Sequence, residues 1–387
     1  MKFRHCILLL ASVLLACENE KNNPVEEKAK STLLVYMAAD NYLRNVAVSN
    51  IDSMKIGTGK NNSNLLVFID RGYVAPCLLQ IKNGATDTIK VYDDLNSADA
   101  NTLAQIIEYV KDNYKTDSYG LVLWGHGMGW LPTKQLHYAA PNLYYAPERK
   151  SKSFAMENCI GGDHPYTCME LNDMANAIPD GLFDYIAFDA CYMANVEIVY
   201  ALRNKADYII SSCAEYSGDG YPYKKVTNDL MNGDLLKVCQ EFYNYYNSKS
   251  GWDQMADISL VKTEGLDSLA RCFKKIADEY KQDIQNVNVS DIQYFDRFSN
   301  HVFYDLADFV DKLGIRKELQ AEFKSQLEKC VEYKISTPYI FPDSPEPIEI
   351  NSYCGLSVFI PQQKYEEAGL NRDYASTEWS KNTNYTY

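Results

Sequence analysis

Short apolar runs broken by turn residues, alternating with stretches of helical spacing, set the plan of this chain. Thr32 to Met37 (TLLVYM) and Asn64 to Asp70 (NLLVFID) read as a first and second strand, and Ala38-Ala39-Asp40-Asn41 between them starts a helix running to about Ile56. Cys77 to Ile81 and Thr88 to Tyr92 flank Asn83-Gly84, which predicts a small hairpin. From Asp99 to Tyr114 the apolar residues Leu103, Ile106, Ile107 and Val110 recur at helical spacing and lead into another apolar run. Strands alternating with helices predict a mostly parallel sheet covered on both faces.

Two runs end abruptly on reactive side chains. Leu121 to Trp130 reads LVLWGHGMGW and stops at His126; Tyr185 to Asn195 reads YIAFDACYMAN and stops at Cys191. Each apolar part is short and is followed at once by turn or small residues, as in parallel strands buried on both faces. Ligand chemistry in an open α/β sheet collects outside the carboxyl ends of the strands, so an imidazole and a thiol placed there on neighbouring strands can face one another as a nucleophile pair.

Between these runs, residues 132–167 are rich in Tyr, Pro, Asn and Lys and show no period. A structureless stretch of that length inside a compact domain is usually functional or mobile. Met169 to Ile178 and Met193 to Arg203 read as helices, Tyr208 to Ser212 as a strand and Cys213 to Tyr223 (CAEYSGDGYPY) as a loop. Amphipathic stretches follow at Leu235 to Tyr246, Gly265 to Asp283 and Val302 to Val331, with Gly355 to Ile360 a last strand. The chain thus divides into an α/β core at residues 32–225 and a mainly helical carboxyl-terminal region at 226–387.

The amino terminus stands apart. Lys2 and Arg4 form a basic start, Ile7 to Leu15 is apolar but too short to span a bilayer, and Leu14-Leu15-Ala16 precedes Cys17. This resembles a bacterial lipoprotein signal over residues 1–16, with Cys17 as the lipidated residue and residues 17–31 as a polar tether. A generic secretory signal with a chance cysteine is the other reading, and both send the chain out of the cytoplasm. The expectation is a lipid anchor in the bacterial cell envelope, at the outer membrane or surface.

Removing Lys2 and Arg4 leaves 36 basic residues against 52 acidic, a net charge of −16. Such a surface repels nucleic acid and favours peptides rich in Lys or Arg. With 46% hydrophobic and 23% charged residues the chain is globular. Eleven cysteines include no CxxC pair and lack the spacing of a small disulfide scaffold, so most read as buried small hydrophobes. Cys159 and Cys168 suit a disulfide, and Cys159, His164 and Cys168 have loose metal-ligand spacing without a fourth ligand.

In order, LVYMAADN (Leu34 to Asn41), LVLWGHGMGW, FDACYMANVEI (Phe188 to Ile198), CAEYSGDGYPY and YCGLSVFIP (Tyr353 to Pro361) resemble the clostripain-like cysteine peptidases, relatives of caspases and gingipains in fold. The resemblance covers nearly all the chain after the tether. It implies a caspase-like α/β/α sandwich with a mostly parallel central sheet and a helical carboxyl-terminal subdomain. It also implies a cysteine endopeptidase with Cys191 as nucleophile and His126 as its dyad partner. Met128 stands where the family usually has a small residue, a departure that leaves His126 and Gly127 intact.

The amides of Gly127 and Cys191 are the oxyanion-hole candidates. Asp189 lies two residues before Cys191, and strand alternation would put both on one face, where a carboxylate suits a substrate Arg or Lys. The resemblance assigns that aspartate to a basic P1 pocket, with Asp219 as a second wall. Lys134, Arg149, Lys150 and Lys152 fall in the aperiodic segment and match that preference, so self-cleavage is expected after Arg149 or Lys150. Calcium dependence occurs in some relatives, but no EF-hand loop is present, and no metal or cofactor is assigned. The expected partners are polypeptides with Arg or Lys at P1 and a membrane through the lipid; the expected state is a monomer.

Blander readings exist for each residue. A cysteine in an apolar strand is ordinarily packing, Asp189 also suits a helix cap, and Asp-Gly at Asp219 is a turn signal. Trp124 and Trp130 suit either a cleft wall or the core, and His137, His164 and His301 suit ordinary polar contacts. A non-catalytic peptide-binding envelope lipoprotein is the alternative function.

Overall fold

The computed structural model describes residues 28–59, 61–93, 95–135, 168–215 and 217–387. In chain order its first strands and helices are β1 (Thr32–Ala38), a helix at Arg44–Gly57, β2 (Asn64–Asp70), β3 (Cys77–Lys82), β4 (Ala85–Val91), a helix at Ala100–Asn113, β5 (Tyr119–Trp124), β6 (Phe183–Asp189) and β7 (Ala206–Ser211). β8 (Asp257–Lys262), the two-residue β9 (Tyr304–Asp305) and β10 (Val331–Ser336) follow.

Nine of these strands form one sheet in the order β10-β8-β7-β6-β5-β1-β2-β3-β4. The central pairs, from β2 through β1, β5 and β6 to β7, are parallel, and the flanking pairs are antiparallel. Strand alternation sends Leu34, Tyr36, Leu121, Leu123, Ile186 and Phe188 into one buried layer, against the helices at Ala100–Asn113, Leu171–Ala177 and Leu266–Glu279. Leu33, Val35, Val122, Trp124 and Ala187 enter the opposite layer, against helices at Arg44–Gly57, Tyr223–Asn232 and Leu235–Asn247. Each fully buried Leu, Ile, Val or Phe contributes about 1.5–3 kcal/mol, and with both faces covered the strands read as apolar runs. The α/β/α sandwich expected from the sequence is the observed fold.

Several elements differ in detail. The hairpin turns at Asn83 and Gly84, both with positive φ (54° and 76°), the geometry that an Asn-Gly turn supplies. The long amphipathic stretch from Val302 is two helices, Leu306–Lys312 and Lys317–Cys330, with Gly314 between them. Residues 226–387 are more than a helical addition, because β8 and β10 extend the central sheet. Asp257–Lys262 is six residues long, and Val331–Ser336 alternates exposed with half-buried positions as an edge strand does. Neither run stood out among the helical patterns around it. The last strand reduces to Ser357–Val358, which pairs with β9 outside the main sheet.

The order of the parallel strands fixes where a site belongs. From β1 the chain moves outward to β2, whereas β5, β6 and β7 succeed one another on β1's other side. Strand order therefore reverses between β1 and β5, and a crevice opens beyond the carboxyl ends of strands that diverge in this way. His126 follows β5 by two residues, and Tyr42, after β1, packs against it with ring centroids 4.7 Å apart.

Candidate active site

Parallel register aligns Trp124 of β5 with Asp189 of β6, so the residues that follow each strand emerge side by side. The Gly125 amide donates to the Asp189 carbonyl at 3.2 Å, carrying the contact past the last ladder position. Gly127 then lies against the Cys191 backbone: a Cβ there would sit 2.0 Å from the Cys191 carbonyl oxygen and 2.9 Å from its amide nitrogen. Only glycine permits this approach. His126, Gly127, Asp189 and Cys191 are thus brought to one end of the sheet, with His126, Asp189 and Cys191 buried.

A turn positions the thiol. β6 stops at Asp189, so the alternation expected to place Asp189 and Cys191 on one face ends short of the cysteine. Asp189 belongs to a strand face shared with Ala187, whereas Cys191 packs among the residues of the opposite layer. The helix predicted from Met193 begins at Val196, so its amino end lies beyond the turn that follows Cys191. Tyr192 takes a left-handed conformation (φ 60°), which costs a bulky residue about 1–2 kcal/mol. The surroundings hold it there. Its amide donates to Ala214 O at 3.1 Å, its carbonyl accepts the Asn195 side-chain amide at 2.6 Å, and its ring stacks on Phe303 at 4.8 Å between centroids. The Ala194 amide donates to Ser212 O at 2.8 Å, which ties the far end of the turn to β7.

Asp189 Oδ2 accepts the Tyr223 hydroxyl at 2.8 Å and the Tyr221 amide at 3.2 Å. It caps no helix: Asn195 occupies the cap position of the next one. Asp219 is exposed, and its carbonyl accepts the Asn50 side chain at 3.0 Å. Asn50 in turn accepts the Trp124 indole N–H at 2.8 Å, so one buried amide joins the floor behind His126 to the Asp219 loop. Asn45, Ser49, Asn50, Asp219 and Tyr245 line a cleft of about 540 Å³ beside this loop. The loop is anchored from below by Asp257, which accepts Ser212 Oγ at 2.5 Å and the amides of Cys213 and Ala214 at 2.6 and 3.3 Å. Burial raises the Asp257 carboxyl to about 6.

Trp124 and Trp130 are both core residues, the second packed on Phe359 and Tyr374 at 4.8 and 4.9 Å between ring centroids. His301 stacks on Tyr294 and meets Asp296 Oδ1 at 2.9 Å, an ordinary polar contact. Cys17, His137, Arg149, Lys150, Lys152, Cys159 and His164 lie outside the described residues. Lys134 pairs with Asp373 at 2.7 Å. Among the described residues no cluster of three His, Cys, Asp or Glu side chains could hold a metal ion, and no helix is long and apolar enough to cross a membrane. Sequence reasoning missed Asn50, Tyr221 and Tyr223. Only the tyrosines had a local signal, the aromatic end of SGDGYPY.

A sandwich of this topology, with a cysteine and a histidine at the ends of adjacent parallel strands, defines a class of thiol hydrolases, and comparison narrows it. The model of the clostripain family matches residues 35–386. Clostripain of Hathewaya histolytica is 21% identical over 418 residues, covering 86% of this chain and 74% of that protein. An inactive zymogen C11 protease from Parabacteroides distasonis superposes with a TM-score of 0.78 at 34% identity, covering 92% of this chain and 98% of the other. A secreted C11 cysteine protease from Bacteroides thetaiotaomicron, solved with an irreversible peptide inhibitor, gives a TM-score of 0.76 at 27% identity, with 92% and 99% covered. The chain belongs to the clostripain family and is a cysteine peptidase.

Proposed function

We propose that the chain is an endopeptidase that cleaves after Arg or Lys by a Cys191–His126 dyad. The observation that carries this reading is the contact of Gly127 with the Cys191 backbone, which sets the residue after the histidine against the nucleophile. The Cys191 thiolate attacks the scissile carbonyl carbon, and the negative charge moves onto the oxygen, where the amides of Gly127 and Cys191 receive it. His126 gives its proton to the departing amine as the C–N bond breaks, leaving a thioester. His126 then takes a proton from water as the hydroxide attacks, and collapse returns the thiolate and releases the acid. Asp189 supplies the charge for a P1 guanidinium or ammonium, and Asp219 flanks the entrance.

Self-cleavage after Arg149 or Lys150 is part of the proposal. The inactive zymogen among the similar structures supports it, as does the burial of Cys191, His126 and Asp189 here. Thr133 donates its amide to Glu170 Oε1 at 3.0 Å, so the chain on either side of residues 136–167 is fastened together and a cut there leaves both ends in place. Residues 1–16 act as an export signal and residues 17–31 as a tether from lipidated Cys17; the secreted relative supports export. Residues 32–225 form the catalytic core of a monomer, and 226–387 complete its sandwich.

A fluorogenic peptide with P1 Arg tests the reading. Hydrolysis that Cys191→Ala abolishes is the expected result, whereas tight binding without cleavage would favour a peptide-binding lipoprotein. Protein that stays one intact band while fully active would reject self-cleavage.

A further inference from the structure

Ala214 and Tyr221 link the nucleophile's turn to Asp189, since Ala214 O accepts the Tyr192 amide and the Tyr221 amide donates to Asp189. Glu215, directly after Ala214, is buried. Arg297 grips it through one oxygen alone: Nε and one terminal nitrogen both reach Oε2, at 3.0 and 2.5 Å. The guanidinium lies 3.9 Å over the Phe341 ring. Its place is set by Asp296, whose carboxylate accepts the amides of Phe298, Val302 and Phe303, and Phe298 and Phe303 both pack on the Tyr192 ring. The segment that holds Arg297 therefore clasps the residue after Cys191.

Two buried polar atoms at this spot, Glu215 Oε1 and the Tyr192 hydroxyl, have no hydrogen-bond partner among the described residues. Buried polar groups are nearly always paired, and one left open beside a reactive centre marks a place for a ligand's own group. Burial, and then the Glu215 charge, hold the Tyr192 phenol well above its ordinary range, so it keeps its proton and can donate. Arg297 already neutralises Glu215, so the open oxygen suits a neutral N–H rather than a second cation. One acceptor and one donor match the N–H and C=O of a peptide backbone.

We propose that Glu215 Oε1 and the Tyr192 hydroxyl form a subsite that binds the main chain of a substrate residue flanking the scissile bond, with Arg297 as the positioning residue. This rests on the reading of the chain as an endopeptidase acting through Cys191, and it names the substrate feature that the site recognises. The subsite reads backbone, so it adds affinity without regard to the side chain presented there.

Glu215→Gln keeps the volume, but Arg297 claims the amide oxygen and turns the NH2 toward the peptide, replacing an acceptor with a donor. For a P1 Arg fluorogenic peptide, kcat/KM should fall about 10- to 100-fold, mostly in KM. Tyr192→Phe keeps the ring stack and should lose roughly 3- to 10-fold. Alkylation of Cys191 by iodoacetamide, which occupies no peptide subsite, should stay within about twofold in both variants. A peptide N-methylated at the recognised amide, P1 or P2, should lose as much on the unmodified enzyme as Glu215→Gln does, and that variant should lose nothing further on it. Unchanged kcat/KM in both variants, fully additive losses at both N-methyl positions, or an equal fall in alkylation rate in both variants would overturn the proposal. If another P1 residue is preferred, the same comparison is made with it, so an error in the P1 assignment and an error in the Glu215 assignment give separate results.

Discussion

Gly127 and Cys191 touch so closely that a single methyl group cannot enter between them: a Cβ on Gly127 would overlap the Cys191 carbonyl oxygen at 2.0 Å. The contact joins the segment after β5 to the segment after β6 where strand pairing has ended. Gly127→Ala should therefore fold and still be inactive. Displacing a reacting group by even about 1 Å costs on the order of 100-fold in rate. The expected result is kcat/KM reduced by at least about 100-fold with an unaltered circular dichroism spectrum. A fully active Gly127→Ala enzyme would contradict this packing.

Asp189 presents its charge among Tyr221 and Tyr223, in a setting with little water to screen it. Asp189→Asn retains the shape and removes the charge. Cleavage after Arg should fall about 100-fold or more, as when one partner of a buried ion pair is lost, while the alkylation rate of Cys191 by a small uncharged reagent holds. Equal losses for P1 Arg and P1 Gln peptides would instead make Asp189 structural.

Asn50 satisfies two groups at once, the Trp124 indole and the Asp219 carbonyl. Asn50→Ala removes both hydrogen bonds, and losing the buried one to the Trp124 indole costs about 1–3 kcal/mol. Tm should drop, and KM for basic peptides should rise more than kcat falls because the Asp219 loop loses its anchor. Thermal melts and steady-state kinetics on the same preparation decide this.

Glu197 is buried on the helix Val196–Ala201, where its Oε1 accepts the Phe359 amide at 3.1 Å and the Tyr374 hydroxyl at 2.9 Å. Its second oxygen has no partner among the described residues. Burial raises this carboxyl from 4.5 to about 7, against the hydrogen bonds that lower it. The folded state then holds the proton more tightly than the unfolded chain. Its contribution to stability is fully present below about pH 4.5 and declines as pH rises to about 7, by on the order of 3 kcal/mol, with no further loss above. Glu197→Gln should flatten that part of the Tm–pH profile and raise Tm at pH 8. A variant whose profile retains the same slope between pH 4.5 and 7 would exclude Glu197 as its source.

The strands that lead to His126 and Cys191 were legible because each is buried on both faces. LVLW before His126 and YIAF before Cys191 are almost free of polar residues, and burial by two helical layers is what makes such runs stand out. β8 and β10 were harder to see, being short and, in β10, half-exposed. The helix after Cys191 begins later than the sequence pattern predicts, because Met193 and Ala194 continue its apolar run. Residue pattern alone carries no mark of the left-handed Tyr192 that delays it.

Local sequence determined the strand and helix succession, the Asn-Gly hairpin and the two reactive side chains at strand ends, because periodicity and turn chemistry act over a few residues. Tertiary structure alone decided that strand order reverses between β1 and β5. It also decided that Gly127 meets Cys191, that Asn50 reaches Asp219, and that Arg297 reaches Glu215, 82 positions earlier in the chain. Those contacts join residues far apart in the chain, and each depends on sheet register and helix packing, which no short window of sequence encodes.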